Sequence, residues 1–207
     1  MCEHGRVPKI VDHEARRGEI ALAVRRLVAR EGLAGATVRA VAEESGWSMG
    51  AVRYYFASQD QLLVFAVESM MEQVTERVLR IRERMPAGPD RAAALIEQLL
   101  PQDRERRAEC TVWLAALARA RHDSAMDELR HRAWAGERHL LALAICDARG
   151  VVVDFDRDEV PERLVADVDD LQLRVDGATL IWTTMADQVS GRDLSVTVGT
   201  WVEQLSS

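Results

Sequence analysis

No stretch of about 18 apolar residues runs without a charge, and the opening MCEHGRVPKIVDHEARR lacks the apolar segment of roughly 7–15 residues that a secretory signal needs. These absences lead us to expect a soluble, cytoplasmic chain with no membrane partner. Cysteine is scarce: Cys2, Cys110 and Cys146 are odd in number and far apart, which argues against a disulfide framework and for reduced thiols. Strand-like alternation is nearly missing, and internal repeats and low-complexity tracts are absent. Aromatic residues make up only 5% of the chain, so the position of each carries weight. Lysine is almost missing, Lys9 being alone among 27 basic residues; genomic composition explains that as readily as function does.

What is present is helical periodicity. Ile20, Val24, Leu27 and Val28 make one stripe of a helix over 13–31, which Gly32 stops. Thr37 can cap a short second helix that carries Val38, Val41 and Ala42 inward and ends near Ser45-Gly46. A tight turn at Gly46-Trp47-Ser48 leads into a third, very short helix through Phe56. Ser58 opens a long fourth helix to about Met85, which Pro86 and Pro89 break. Further helices are expected near 90–100, 102–121 and 124–148, then an extended connection over 150–155. A long helix over 158–189, with Pro161 in its first turn, and a last one over 194–205 complete the pattern.

The charge is divided. Residues 1–58 hold nine basic and seven acidic residues, a net +2, whereas the whole chain carries −7 and the remainder therefore −9. A head that faces phosphate on an acidic body fits this division. Two short helices joined by a glycine turn over 37–56 have the geometry that sends the second helix into a major groove.

Residues 37–63, TVRAVAEESGWSMGAVRYYFASQDQLL, resemble the DNA-binding segment of the tetracycline-repressor (TetR) family. Thr37, Val41-Ala42, Gly46, Ser48, Gly50, Val52, Tyr55-Phe56, Ser58 and Leu62-Leu63 carry the match, which covers about 50 N-terminal residues. The chain departs from the pattern at Trp47 (usually small and aliphatic), Arg53 (commonly tyrosine) and Gln59 (usually lysine). The resemblance implies an all-α fold in two parts. A three-helix helix-turn-helix DNA-binding domain, 1–58, is joined through the long fourth helix to a helical ligand-binding and dimerisation domain, 59–207.

The chemistry assigns roles. Thr37 and Ser48 place hydroxyls at helix starts, where phosphate is favoured. Tyr55, by resemblance and by its phenol, is a further phosphate donor, and Gln59 a neutral one. Arg53 is the leading base reader, since a guanidinium bonds guanine O6 and N7 together. Arg39 and Tyr54 are secondary candidates, Tyr54 alternatively covering the domain edge, and Met49 and Gly50 allow close approach. Trp47 reads first as a packing residue and second as a wedge between bases. Arg16, Arg17, Arg25 and Arg26 either flank a duplex or form a solvated face, and Arg6 and Lys9 are candidates for an arm.

In the body, Leu164, Val168, Leu171, Val175, Ala178, Trp182, Met185 and Val189 repeat at alternating four and three residues. Val165, Leu180 and Ile181 lie off this seam. A dimer interface over Leu171, Val175, Ala178, Trp182, Met185, Val189 and Trp201 is expected, as the resemblance also implies; the alternative is that the seam is core within one chain. Phe65, Ser69, Trp113, Leu117, Met126 and Trp134 are candidate pocket residues, each of which reads first as core and second as lining. Trp113 to Leu117 and Val175-Asp-Gly177-Ala resemble the choline-responsive BetI-like subgroup, though no choline ligand is carried over.

The reading is a repressor that binds an inverted-repeat operator in double-stranded DNA as a homodimer and is released by a small-molecule effector of unknown identity. No cofactor, metal or enzymatic activity is expected. A metal or nucleophile site built from Cys110, His122, His131, His139 and Cys146 would need compact spacing that these residues lack. A redox-sensing cysteine and a helical interaction protein that binds no DNA remain as alternatives.

Overall fold

The computed structural model describes residues 13–32, 35–56, 58–151 and 160–206, and the regular structure among them is entirely helical. Three short elements form the head: α1 (His13–Glu31), α2 (Val38–Ser45) and α3 (Met49–Tyr55). Their boundaries follow from local chemistry. Gly32 and Gly46, both at φ 72°, take the left-handed turns that end α1 and α2 without a Cβ penalty. Thr37 Oγ1 accepts the Ala40 N–H at 3.2 Å, and Ser48 Oγ accepts the Ala51 N–H at 3.1 Å, so each short helix starts on a satisfied donor.

The body follows. Ser58 caps α4 (Gln59–Arg84), whose 26 residues span about 39 Å at the usual rise. Pro86 ends it, and α5 (Pro89–Ile96) begins with proline in its first turn. A 3₁₀ turn over Glu97–Leu99 leads to α6 (Arg104–Ala120) and α7 (Ser124–Ala148), capped by Asp103 and Asp123. After a 3₁₀ turn at Glu162–Leu164 come α8 (Val165–Thr184) and α9 (Leu194–Leu205).

The long helix expected over 158–189 is thus shorter at both ends. Pro161 precedes the 3₁₀ turn instead of lying in the helix, and most of the connection expected over 150–155 falls outside the described residues. Beyond Thr184 local polar bonds replace the helical ladder: Gln188 Nε2 donates to Asp187 Oδ2 at 2.9 Å, and Ser190 Oγ to the Asp187 carbonyl at 2.8 Å.

Two apolar cores result. The first joins Ile20, Val24 and Leu27 of α1 with Val41, Val52 and Phe56, but also takes Leu62 to Val67 of α4, Val112 and Ala116 of α6, and Met126 and Leu129 of α7. It therefore reaches well past residue 58. The second packs α5, the later half of α7, α8 and α9 together, with Val74, Val78 and Ile81 of α4 against it. One helix, α4, contributes its first half to one core and its second half to the other.

Candidate functional site

In the head, burial sorts α3 cleanly. Val52 and Phe56 are buried, and Phe56 meets Phe65 of α4 with ring centroids 4.8 Å apart. The opposite side exposes Ser48, Met49, Gly50, Arg53 and Tyr54, the last at 76%. Tyr55 is half-buried and stands edge-on to Tyr54, centroids 5.2 Å apart. Thr37 and Arg39 are exposed on the adjoining helix start, Arg39 Nε donating to Glu43 Oε1 at 3.0 Å. Because Thr37 and Ser48 accept backbone N–H groups through a lone pair, each hydroxyl still has its own proton to give. Each of these candidates is exposed except Tyr55, which is half-buried; the side chain of Gln59 lies outside the described residues.

Trp47 packs. Its indole N–H donates to Glu19 Oε2 at 2.9 Å, and the Arg16 guanidinium lies 4.4 Å from its ring centroid, so the turn is tied to α1. Arg26 sits 4.0 Å from Glu44; the side chains of Arg17 and Arg25, and residues 1–12 with Arg6 and Lys9, are outside the described residues.

The body contains a cavity of about 320 Å³ between α4, α6, α7 and α8. Of the six expected pocket residues only Trp113 lines it. Phe65 and Met126 are buried in the first core, and Ser69 is buried beside Gln73. Leu117 is exposed, and Trp134 is exposed beneath the Arg138 guanidinium, 4.7 Å from its ring centroid. The lining comes instead from Met70, Val74 and Val78, one face of α4 at four-residue spacing, with Glu109, Glu137, Leu140, Leu143 and Asp176 among the others. One signal was available: Glu137 interrupts the apolar face that continues through Leu140 and Leu141.

Charge pairs link the helices of the body. Arg77 of α4 holds Glu109 of α6 through two bonds of 2.8 and 2.7 Å and donates to Gln98 Oε1 at 3.0 Å. Arg91 of α5 does the same for Asp147 of α7 at 2.6 Å twice, and also donates to the Met85 carbonyl. Burial, with the Asp176 charge nearby, pushes the Glu137 carboxyl up to about 8. Burial likewise pushes the Cys110 thiol up to about 12, and raises that of Cys146. Neither thiol is poised as a thiolate.

The expected dimer seam is corrected at four of its seven positions. Leu171, Val175, Ala178 and Val189 are buried within the chain itself, and Trp182 and Trp201 pack half-buried on the second core. A heptad-like repeat marks a face that must be covered, and at Leu171, Val175, Ala178 and Val189 the same chain covers it. Met185 is exposed, as are Leu173 at 74%, Leu180 at 51% and Ile181 of α8 and Val196 of α9.

A three-helix head presenting a short exposed helix, set on a helical body with a cavity between its helices, defines a helix-turn-helix regulator. The description "Bacterial regulatory proteins, tetR family" matches residues 20–64, and "BetI-type transcriptional repressor, C-terminal" matches 89–205. The HTH-type transcriptional regulator PksA of Bacillus subtilis is 37% identical over 168 residues, 81% of this chain and 82% of that protein. A transcriptional regulator from Rhodococcus sp. Rha1 shares the fold at TM-score 0.72, with 23% identity, covering 91% of this chain and 95% of its own. The regulator FadR of Bacillus subtilis, solved with stearoyl-CoA, gives TM-score 0.61 and 20% identity over 92% and 97% of the two chains. The chain belongs to the tetR family of bacterial transcriptional regulators.

Proposed function

We propose that this regulator is a repressor that grips a near-palindromic operator as a homodimer and lets go when a small molecule enters the body. The observation that carries the reading is the two-sided α3, with Val52 and Phe56 buried and Met49, Gly50, Arg53 and Tyr54 on an open surface. Arg53 reads a base edge, Thr37, Ser48, Tyr55 and Gln59 hold phosphates, and Arg39 joins them by exchanging Glu43 for the backbone. One seven-residue helix reads few base pairs, so two copies on two half-sites are required. The exposed apolar residues Leu173, Leu180, Ile181 and Val196 supply the surface for pairing.

The cavity is the effector site. Its size suits a small molecule, and the stearoyl-CoA held by FadR supports a body of this fold taking one. Met70, Val74 and Val78 line the cavity from the same helix that carries Phe65 beneath α3, so a ligand that prefers one placement of α4 biases the head. Selection of bound fragments from genomic DNA by the purified chain should return an inverted repeat. Recovery of no enriched sequence under low salt would sink the reading.

A further inference from the structure

We propose that Met70 passes effector occupancy to the DNA-binding head: a molecule in the large cavity drives the Met70 thioether into a second, smaller pocket beside α1, and α1 carries the push to α3. The inference rests on the cavity being the effector site and names the side chain that reports its filling.

The second pocket lies between α1, α4 and α6, a gap of about 40 Å³ with Val24, Val28, Ala66, Ala108 and Val112 among its walls. It is too small for a drug-sized molecule but wide enough for the end of one side chain. Val24 and Val28, its walls from the head, are buried in the first core.

Two residues line both spaces, Met70 of α4 and Glu109 of α6. Glu109 is fixed by the two-bond clasp of Arg77. Gln73, which lines the small pocket from the same helix as Met70, donates to the Ser69 carbonyl at 2.9 Å. Met70 is under neither constraint: it is half-buried, unbranched and turns about several side-chain bonds. Turned toward the large cavity or toward α1, its thioether keeps apolar neighbours. In the second placement it also fills a gap whose walls otherwise lack partner atoms. The two placements are therefore close in energy, and a ligand that takes up the cavity side selects the other.

The head is tied to α1 at three points. Glu19 accepts the Trp47 indole N–H at 2.9 Å, the Arg16 guanidinium lies 4.4 Å from the centroid of the same ring, and Arg30 donates to Glu44 of α2 at 3.0 Å. Trp47 immediately precedes Ser48, the cap of α3. A push on Val24 and Val28 thus reaches the start of the base-reading helix, where hydrogen bonds to phosphate tolerate little displacement.

The test uses the full chain and the operator fragment that genomic selection returns. Ala66→Val and Ala108→Val fill the small pocket from two different helices, and each should weaken operator binding by about fivefold or more with melting unchanged or raised. Ala133→Phe serves as a tethered occupant of the large cavity: Ala133 lines it, and the 3.6 Å approach of Arg132 to Glu68 sets it near the level of Met70. It should weaken operator binding by about tenfold beside Met70 and by less than about twofold beside Met70→Ala. Without DNA, Ala133→Phe should shift the methyl NMR signals of Val24 and Val28 only while Met70 is present. Thermal melts establish that each variant folds, and either filler carries its arm if the other does not. Folded fillers that bind operator like the wild type, a loss from Ala133→Phe that survives Met70→Ala, or Val24 and Val28 signals indifferent to Ala133→Phe overturns the inference. Val24 and Val28 signals that respond as expected in a chain that retains no DNA sink only the repressor reading. DNA retention with those signals silent sinks only the part given to Met70.

Discussion

Head and body put their polar chemistry on opposite sides of their helices. In the head, an apolar interior of Val41, Val52 and Phe56 pushes Thr37, Ser48, Arg53 and Tyr54 to the outside. In the body, Arg77, Glu109, Asp147 and Glu137 turn inward, among helices whose outer side exposes Leu173 and Leu180. An outward-facing arrangement suits a large, hydrated polyanion that comes to the surface. An inward-facing one suits a small molecule that leaves its water behind, because only away from bulk solvent do a few fixed charges discriminate strongly.

The sharpest way to break this contrast is inside the body. Glu109→Ala strands the Arg77 guanidinium in a part-buried site and should cost about 3–5 kcal/mol in urea unfolding. A loss under about 1 kcal/mol would mean that the inward charges are merely solvated. Next comes the border between the regions. Met126 belongs to α7 yet is fully buried in the first core, so Met126→Ala should cost about 2–5 kcal/mol and weaken DNA retention along with the fold. If the head keeps its stability, measured by amide exchange in α1 to α3, the border lies nearer residue 58 than the packing indicates. The smallest effect is expected on the surface: Arg53→Ala should leave melting unchanged while costing roughly 1–3 kcal/mol in operator binding and relaxing preference at one base pair. Unaltered affinity and preference would remove Arg53 from the reading surface.

The same contrast explains what could be read before the structure was known. The head was legible because its signals are local: Thr37, Ser48 and Ser58 cap helices, Gly32 and Gly46 end them, and each acts within four residues. The helix count and nearly every boundary followed from the same kind of signal. The cavity was not legible, since its walls come from four helices spread over residues 70–179, and an apolar residue on a core face looks the same whether it meets a neighbour or a void. Phe65 and Met126 follow the core alternative, whereas nothing in the spacing singles out Val74 and Leu143 as lining. The seam through Leu171, Val175 and Ala178 failed differently. Its spacing specifies a stripe to be buried, but spacing carries no label for whose surface does the burying.

Because α4 runs unbroken from Gln59 to Arg84, its two halves are a single stiff beam with a bearing at each end. Phe65 rests under the close of α3, while Val74 and Val78 form part of the cavity wall roughly two and a half and three and a half turns away. If the proposed effector displaces the wall, an α4 that moves as a unit would carry that displacement to the other bearing as a tilt. Leverage of this kind needs no chain of intermediate side chains.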